Sequence, residues 1–265
     1  FIDPFFQREF HISNKIFVIE KHHHLLHLWR QQKQTQLSVV HLDYHCDMRG
    51  LLINRAQGQA YGIEDFHWGV DVGNFLTHAI LENRLSKLLW VHRIPGGREF
   101  DSGTVKYETD PLSPIRRITW KYLSTKYVPI QYDVSQPQAW RGLQKDDFLD
   151  IDWDYFACKA YSADSIDNQV TNFLNREFPR IPQQTAVCYS PNYSHPSKEQ
   201  YRDFISKLAV KFNAEIIHHA PQESIQPNPE ILKHFLPGIV YRTYFWHNKW
   251  FQRIRYGLKR RIYRI

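Results

Sequence analysis

Apolar residues along this chain fall into short, nearly continuous runs, separated by longer stretches in which they recur every three or four positions. The runs IFVIE (16–20), SVVHLD (38–43), KLLWVH (87–92), DFLDID (147–152), TAVCYS (185–190) and AEIIHH (214–219) predict strands. Several are β-branched and almost unbroken, as in parallel strands covered on both faces. The periodic stretches predict helices over 23–34, 74–86, 164–177 and 197–212, the last opened by Pro196-Ser197. Strands alternating with helices imply an α/β protein with three layers, α/β/α, around a mostly parallel central sheet. Residues 93–146 break the pattern with Pro, Gly and charged clusters. They are expected to be an irregular excursion within one domain spanning 1–265, which ends in a basic helix at 243–265.

Open parallel sheets bind ligands beyond the carboxyl ends of their strands, so the polar residues at those ends are the candidates for chemistry. Three segments qualify. In HLDYHCDMR (41–49), directly after Ser38-Val39-Val40, strand alternation points His41, Asp43, His45 and Asp47 one way until the strand gives way to loop. In FLDIDWDYF (148–156), Asp150, Asp152 and Asp154 alternate with bulky apolar residues. Carboxylates so placed repel one another unless a cation compensates them. In IEKHHHLLHLW (19–29), His22 stands at a strand-to-helix junction where it can cap a metal site. Taken singly, the first segment could be a solvated strand end, the second an acidic edge and the third a surface histidine run. Together, each at the end of a predicted strand, they point to a buried cation centre. The acidic segment lacks the glycine and irregular oxygen-rich spacing of a calcium loop. Mixed carboxylate and imidazole donors suit Mn, Fe, Co or Zn better than Mg or Ca. Alternation turns Cys46 away, so a structural zinc site is not indicated.

Composition adds limits. Hydrophobic residues make up 42% of 265 and aromatics 15%, ample for a packed core. No apolar run has the eighteen or so residues of a membrane span. The first residues lack the basic-then-apolar pattern of a secretory signal. Cys46, Cys158 and Cys188 form no disulfide framework, so a cytoplasmic location is expected. The formal charge of +7 is uneven, with seven Lys or Arg and no acid in KWFQRIRYGLKRRIYRI (249–265). This segment could meet an acidic partner, or dock through its apolar residues with a solvated basic face.

HLDYHCD resembles the HxDxHxD metal motif of the arginase, agmatinase and deacetylase superfamily, and FLDIDWD is similar to the strand that ends in that superfamily's second, DxD motif. Within it, Glu20-Lys21-His22, residues 41–47 and the DIDxDxF segment 150–156 resemble a divergent branch that includes peptide arginases. The resemblance covers 16–190 in order, is weak over 93–146 and is absent from the basic tail. It implies an arginase/deacetylase-like fold and two Mn2+ ions. One ion would be held by His22, Asp43, Asp47 and Asp152, the other by Asp43, His45, Asp152 and Asp154. His41 and Asp150 would then stand behind the ligands. A register with Asp150 and Asp152 as ligands is the alternative, as is His23 in place of His22. The implied reaction is attack of a hydroxide held between the ions on a guanidinium carbon, turning arginine in a ribosomal precursor peptide into ornithine with release of urea.

Two departures from the family pattern matter. The late glutamate that holds the guanidinium in arginases has no counterpart in CYSPNYSHP (188–196), which offers Ser190 and Asn192 instead. The proton-shuttling histidine has no clear match either; His67 in EDFHWGVDVGNF (64–75) is the candidate, and the same segment offers Asp71 and Asn74 for substrate contact. The expected partner is an arginine-containing peptide, with an acidic leader segment a natural match for the basic tail. Competing readings are a deacetylase or other amidohydrolase on the same fold, and a nucleic-acid-binding protein using the tail. The basic residues are not interleaved with the metal motifs, which argues against nucleic acid.

Overall fold

The computed structural model describes residues 14–54, 59–63, 69–91, 130–131, 143–221 and 225–231. The predicted strands form as β1 (Asn14–Ile19), β2 (Leu37–Leu42), β5 (Leu85–Val91), β7 (Phe148–Asp152), β8 (Gln184–Cys188) and β9 (Ala214–His219). With the short β6 (Ile130–Gln131) they make a seven-stranded sheet of order β6-β5-β2-β7-β8-β1-β9. Each of its pairings is parallel. A hairpin of β3 (Leu51–Asn54) and β4 (Gln59–Ile63), which the apolar runs did not announce, stands apart as a second, antiparallel sheet.

Side-chain alternation divides the core into two layers. Phe17, Val39, Leu88, Phe148 and Ala186 face one way and pack with Leu25, Leu28 and Trp29 of α1 (His24–Gln31) and Leu76 and Ile80 of α2 (Phe75–Leu81). Ile16, Val40, Leu89, Leu149 and Val187 face the other way. They meet Phe156 of the single-turn α3 (Asp154–Ala157), Phe173 of α4 (Ile166–Leu174) and Phe204 and Leu208 of α5 (Lys198–Phe212). The three-layer α/β/α arrangement is therefore present. In α5 the buried Tyr201, Phe204, Ile205, Leu208 and Phe212 recur at helical spacing along one face. That helix stops at Asn213, which adopts the left-handed conformation (φ 46°) common after a helix end.

The ends of α1 and α2 fall short of expectation. α1 stops at Gln31 and Lys33 turns left-handed (φ 51°), while α2 stops at Leu81 and Asn83 does the same (φ 58°). No glycine or proline marks either stop in the sequence. The two residues after Asn83 already belong to the entry into β5, whose Leu85 the helical pattern had claimed. The edge strand β9 is less covered than expected, with Ile216 38% exposed. The excursion at 93–146 lies largely, and the basic helix at 243–265 and His67 lie wholly, outside the described residues. Among the described residues no helix is long and apolar enough to cross a membrane.

The chain order leaves β2, β7, β8 and β1 side by side in the middle of the sheet, all ending at the same edge. This places the loops after four strands around one point, which is where the polar residues collect.

His78, inside α2, tests the packing of that layer. Burial holds its pKa at about 4, below the usual 6.5. The unfolded chain therefore takes the proton first as pH falls. The stability tied to neutral His78 is complete above pH 6.5 and is lost towards pH 4, by up to about 3 kcal/mol. Chemical denaturation from pH 7 to 4.5 should show wild type losing more stability than His78→Gln; equal losses would place the acid sensitivity elsewhere.

Candidate metal centre

Each carboxylate at the strand ends is aimed by its own backbone. β2 ends at Leu42, and Asp43 opens the loop with Oδ1 accepting the backbone N–H of His45 at 2.6 Å. β7 ends at Asp152, whose Oδ1 accepts the N–H of Asp154 at 3.1 Å. Both are turns in which an aspartate captures the amide two residues on. In each the second oxygen, Oδ2, is left pointing into the centre. Asp47 arrives in the left-handed conformation (φ 50°), which aspartate tolerates better than most residues. Asp154 is not the third residue of an alternating strand face, as the pattern suggested. Trp153 is already helical, so Asp154 is delivered from the first turn of α3. There it accepts the Tyr44 N–H at 3.2 Å and pairs with His45 Nδ1 at 2.8 Å.

His22 follows β1 and is fully buried. Its Nδ1 lies 3.1 Å from Asp43 Oδ2, 2.9 Å from Asp47 Oδ2 and 3.0 Å from Asp152 Oδ2. Its Nε2 faces Asp150, 2.9 Å from Oδ1. Asp150 also receives His41 Nδ1 at 2.7 Å, from the adjacent ladder position. Asp150 and His41 therefore sit behind His22, on the α1/α2 side of the sheet, and fix its ring. Asp150 is spent on two histidines, which separates it from Asp152 and Asp154. His23 caps α1, joins none of the described groups able to hold a metal, and is kept at about 4 by burial and Lys21.

The electrostatics are those of a site built for positive charge. Burial and the neighbouring Asp154, Asp47 and Asp152 push Asp43 well above the carboxylate range. Burial and Asp154 raise Asp152 to about 6. Burial opposes protonation of His22, but Asp150 and Asp152 outweigh it and raise its pKa. Asp150 is held at about 2 against the effect of burial by His22 and His41. Three buried atoms, His22 Nδ1, His41 Nε2 and Asp43 Oδ2, make no well-aligned hydrogen bond, although His22 Nδ1 has three carboxylate oxygens within 3.1 Å. They converge, with His41 Nε2 3.4 Å from Asp43 Oδ2. Poorly satisfied polar atoms meeting at one point suit a cation, which satisfies all three at once. Donor atoms close enough to share an ion occur in His22, Asp43 and Asp152, in His41, Asp43 and Asp47, in Asp43, His45 and Asp154, and in His22, His41 and Asp150. His41 thus comes nearer the centre than a purely supporting residue would.

No family model and no curated protein matches this chain. Among solved structures it is similar to a proclavaminate amidino hydrolase from Streptomyces clavuligerus, at 14% identity over 76% of this chain and 65% of that one, with a TM-score of 0.38. It is also similar to a hypothetical agmatinase from Burkholderia thailandensis, at 13% identity over 75% of this chain and 58% of that one, with a TM-score of 0.42. The chain spans less than two thirds of the length of each of these proteins. Likeness at this level concerns the course of the chain and says nothing of reaction or substrate.

Above the centre opens a cleft with about 140 Å³ of room, floored by His45, Asp47, Asp152 and Asp154. Its walls include Arg49, Gly73, Ser190 and Tyr193. Ser190 (φ 43°) donates its hydroxyl to Asp152 Oδ2 at 2.5 Å, so it orients that carboxylate as well as lining the cleft. Asp71 is paired with Arg49 at 3.3 Å. Asn74 is fully buried and holds the 69–74 turn through Gly69 O and Asp71 N, so its amide does not face the cleft. Asn192 is exposed outside the lining, its carbonyl accepting Lys159 at 2.8 Å.

Sequence reasoning missed Arg49, Gly73 and Tyr193. Arg49 stands two residues after Asp47 and was open to notice there. Its guanidinium crosses Gly73 so closely that a Cβ at that position would lie 2.2 Å from Nη2. Tyr193 packs edge-on to His45, with ring centroids 5.0 Å apart.

Asp150→Asn should keep the fold but lower metal affinity by about 10- to 100-fold, the usual effect of removing a group that orients a ligand histidine. Metal titration of the apoprotein reads this directly, and unchanged affinity would show that Asp150 does not hold His22 for an ion.

Proposed function

We propose that this chain is a binuclear metal hydrolase, and specifically a peptide arginase that converts arginine side chains in a ribosomal precursor peptide to ornithine and urea. The observation that carries the metal reading is the meeting of His22 Nδ1, His41 Nε2 and Asp43 Oδ2, buried and without well-aligned hydrogen bonds, among the carboxylates of Asp47, Asp152 and Asp154. His22, Asp43, Asp47 and Asp152 would hold one divalent ion, and Asp43, His45, Asp152 and Asp154 the other, with Mn2+ the preferred metal. Such ions would supply an activated water and stabilise negative charge developing on the substrate.

The substrate reading rests on the motif resemblance and is supported by the cleft. His45, with its side chain 36% exposed, forms part of the cleft floor, so a group entering there approaches the centre directly. Tyr44 and Tyr193 each lie 5.0 Å from His45 between ring centroids, and Tyr161 packs behind Tyr44 at 5.5 Å. Aromatic edges and faces of this kind suit a planar cation. Among the described residues lining the cleft Arg49 is the one Lys or Arg, and its pairing with Asp71 offsets its charge, so a guanidinium can approach. His67 is proposed as the group that shuttles protons to the departing amine. The basic segment 249–265 is proposed to attract an acidic leader.

Protein purified with Mn2+ should carry two ions per chain and release urea from Arg-containing peptides. One tightly bound zinc per chain with amide hydrolysis would instead favour a deacetylase, and no metal would remove the centre altogether. Asp43→Ala and Asp152→Ala should each cut turnover by about a thousandfold or more, the several kcal/mol that metal ions contribute. Full activity in either would overturn the ligand assignment. His67→Ala should lower kcat at unchanged metal content. Asp71→Ala leaves Arg49 unpaired at the mouth and should raise KM for arginine peptides about fivefold, as expected for loss of an exposed ion pair. An unaltered KM would remove Asp71 from substrate admission.

A further inference from the structure

A second histidine group lies away from the carboxylate centre, between α1 and the edge strand β9. His24 and His27 are three residues apart in α1 and so share a face. β9, paired only with β1 among the described strands, ends at His219. His27 Nδ1 and His219 Nε2 are 3.2 Å apart, with the rings stacked at 5.3 Å between centroids and 28° between planes. Zinc–nitrogen bonds of 2.0–2.1 Å at a tetrahedral angle separate two ligand nitrogens by about 3.3 Å. The pair is therefore already spaced as two ligands of one ion. His24 is 8% exposed, and its Nδ1 is buried without a hydrogen-bond partner. Its donor nitrogens do not stand within ion-sharing distance of both His27 and His219 in this structure, so His24 would have to turn to join them.

The donor types differ from those of the carboxylate centre. Here the paired donors of His27 and His219 are imidazoles, with Glu20 and Lys21 the charged neighbours of His24, and an imidazole set selects Zn, Ni, Cu or Co over Mn or Mg. We propose that His27 and His219, joined by His24 through a change of its side-chain torsions, form a separate transition-metal site that fastens α1 to the edge of the sheet. α1 follows directly from His22, so the ion would steady the helix on which that ligand's position depends. The site stands whether or not the carboxylate centre is an arginase centre, because none of its residues belongs to that centre.

The test is full-length protein dialysed against equal MnCl2 and ZnCl2 at pH 7.5, then analysed for both metals. Asp43→Asn/Asp152→Asn protein should lose metal from the carboxylate centre and keep one zinc. Adding His27→Gln/His219→Gln should remove that zinc, and His24→Gln alone should weaken it about tenfold or more. Circular dichroism on each variant separates loss of the site from loss of the fold. Zinc-edge X-ray absorption of the Asp43→Asn/Asp152→Asn protein should show scattering from at least two imidazoles. Equal zinc with and without His27 and His219, or a zinc shell without imidazoles, would overturn the proposal and leave the pair as an ordinary histidine hydrogen bond.

Discussion

The structure is organised around the mutual repulsion of carboxylates that have been taken out of water. Asp43, Asp47, Asp152 and Asp154 are all less than a tenth exposed and reach one point. Burying a charge without compensation costs far more than any single packing interaction returns. Protonation is one way out, and the raised pKa values of Asp43 and Asp152 register that tendency. A cation is the other, and the raised pKa of His22, whose Nδ1 faces three carboxylate oxygens, registers the same demand for positive charge. The rest of the fold can be read as the means of holding these groups together despite their repulsion.

Parallel strands suit this task because they finish at one edge. Four adjacent strands each contribute one loop, so no long excursion is needed to bring His22, Asp43, Asp152 and Ser190 together. The local geometry does the aiming. In both Asp43 and Asp152 one oxygen is tied to the amide two residues on, which leaves the other with a single direction to point. Asp47 and Ser190 accept left-handed backbone to complete the ring, a cost of order 1–3 kcal/mol for each that the packed surroundings must sustain. Behind them Asp150 and His41 occupy core positions that alternation would otherwise give to Val or Phe. Polar groups at such positions persist because Asp150 is bonded to both His41 and His22.

Much of this was legible along the chain. β-branched runs bounded by polar clusters located six strands to within about two residues. The spacing of His41, Asp43, His45 and Asp47 identified an edge rich in donors, because a two-residue period is visible without knowing the fold. What periodicity could not show was the point where strand becomes helix. Asp154 looked like the third residue of an alternating face but comes from a helical turn. Asn74 looked available to substrate, yet it is buried by the turn that precedes α2. Lys33 and Asn83 end helices without a glycine, since nothing local forbids the next residue from continuing and the return into the sheet decides. Arg49 and Tyr193 escaped because a wall of a cleft is defined by neighbours far apart in sequence, and neither residue type stands out in its own segment.

The cleft sets a further condition on any substrate. Its floor is made of the carboxylates of Asp47, Asp152 and Asp154 beside His45. Among the described residues its wall carries one guanidinium, that of Arg49, paired with Asp71. Bare Arg49 would repel a cationic group, but the Arg49–Asp71 pair presents little net charge, which leaves the rings of Tyr44 and Tyr193 beside His45 as the nearest aromatic surfaces. Gly73 belongs to the same condition. A side chain there would collide with the Arg49 guanidinium where it crosses the backbone and force it to move. A substitution at position 73 therefore shifts where the Arg49 charge sits, and since the atoms in its way are the far end of a flexible side chain, the shift itself costs little.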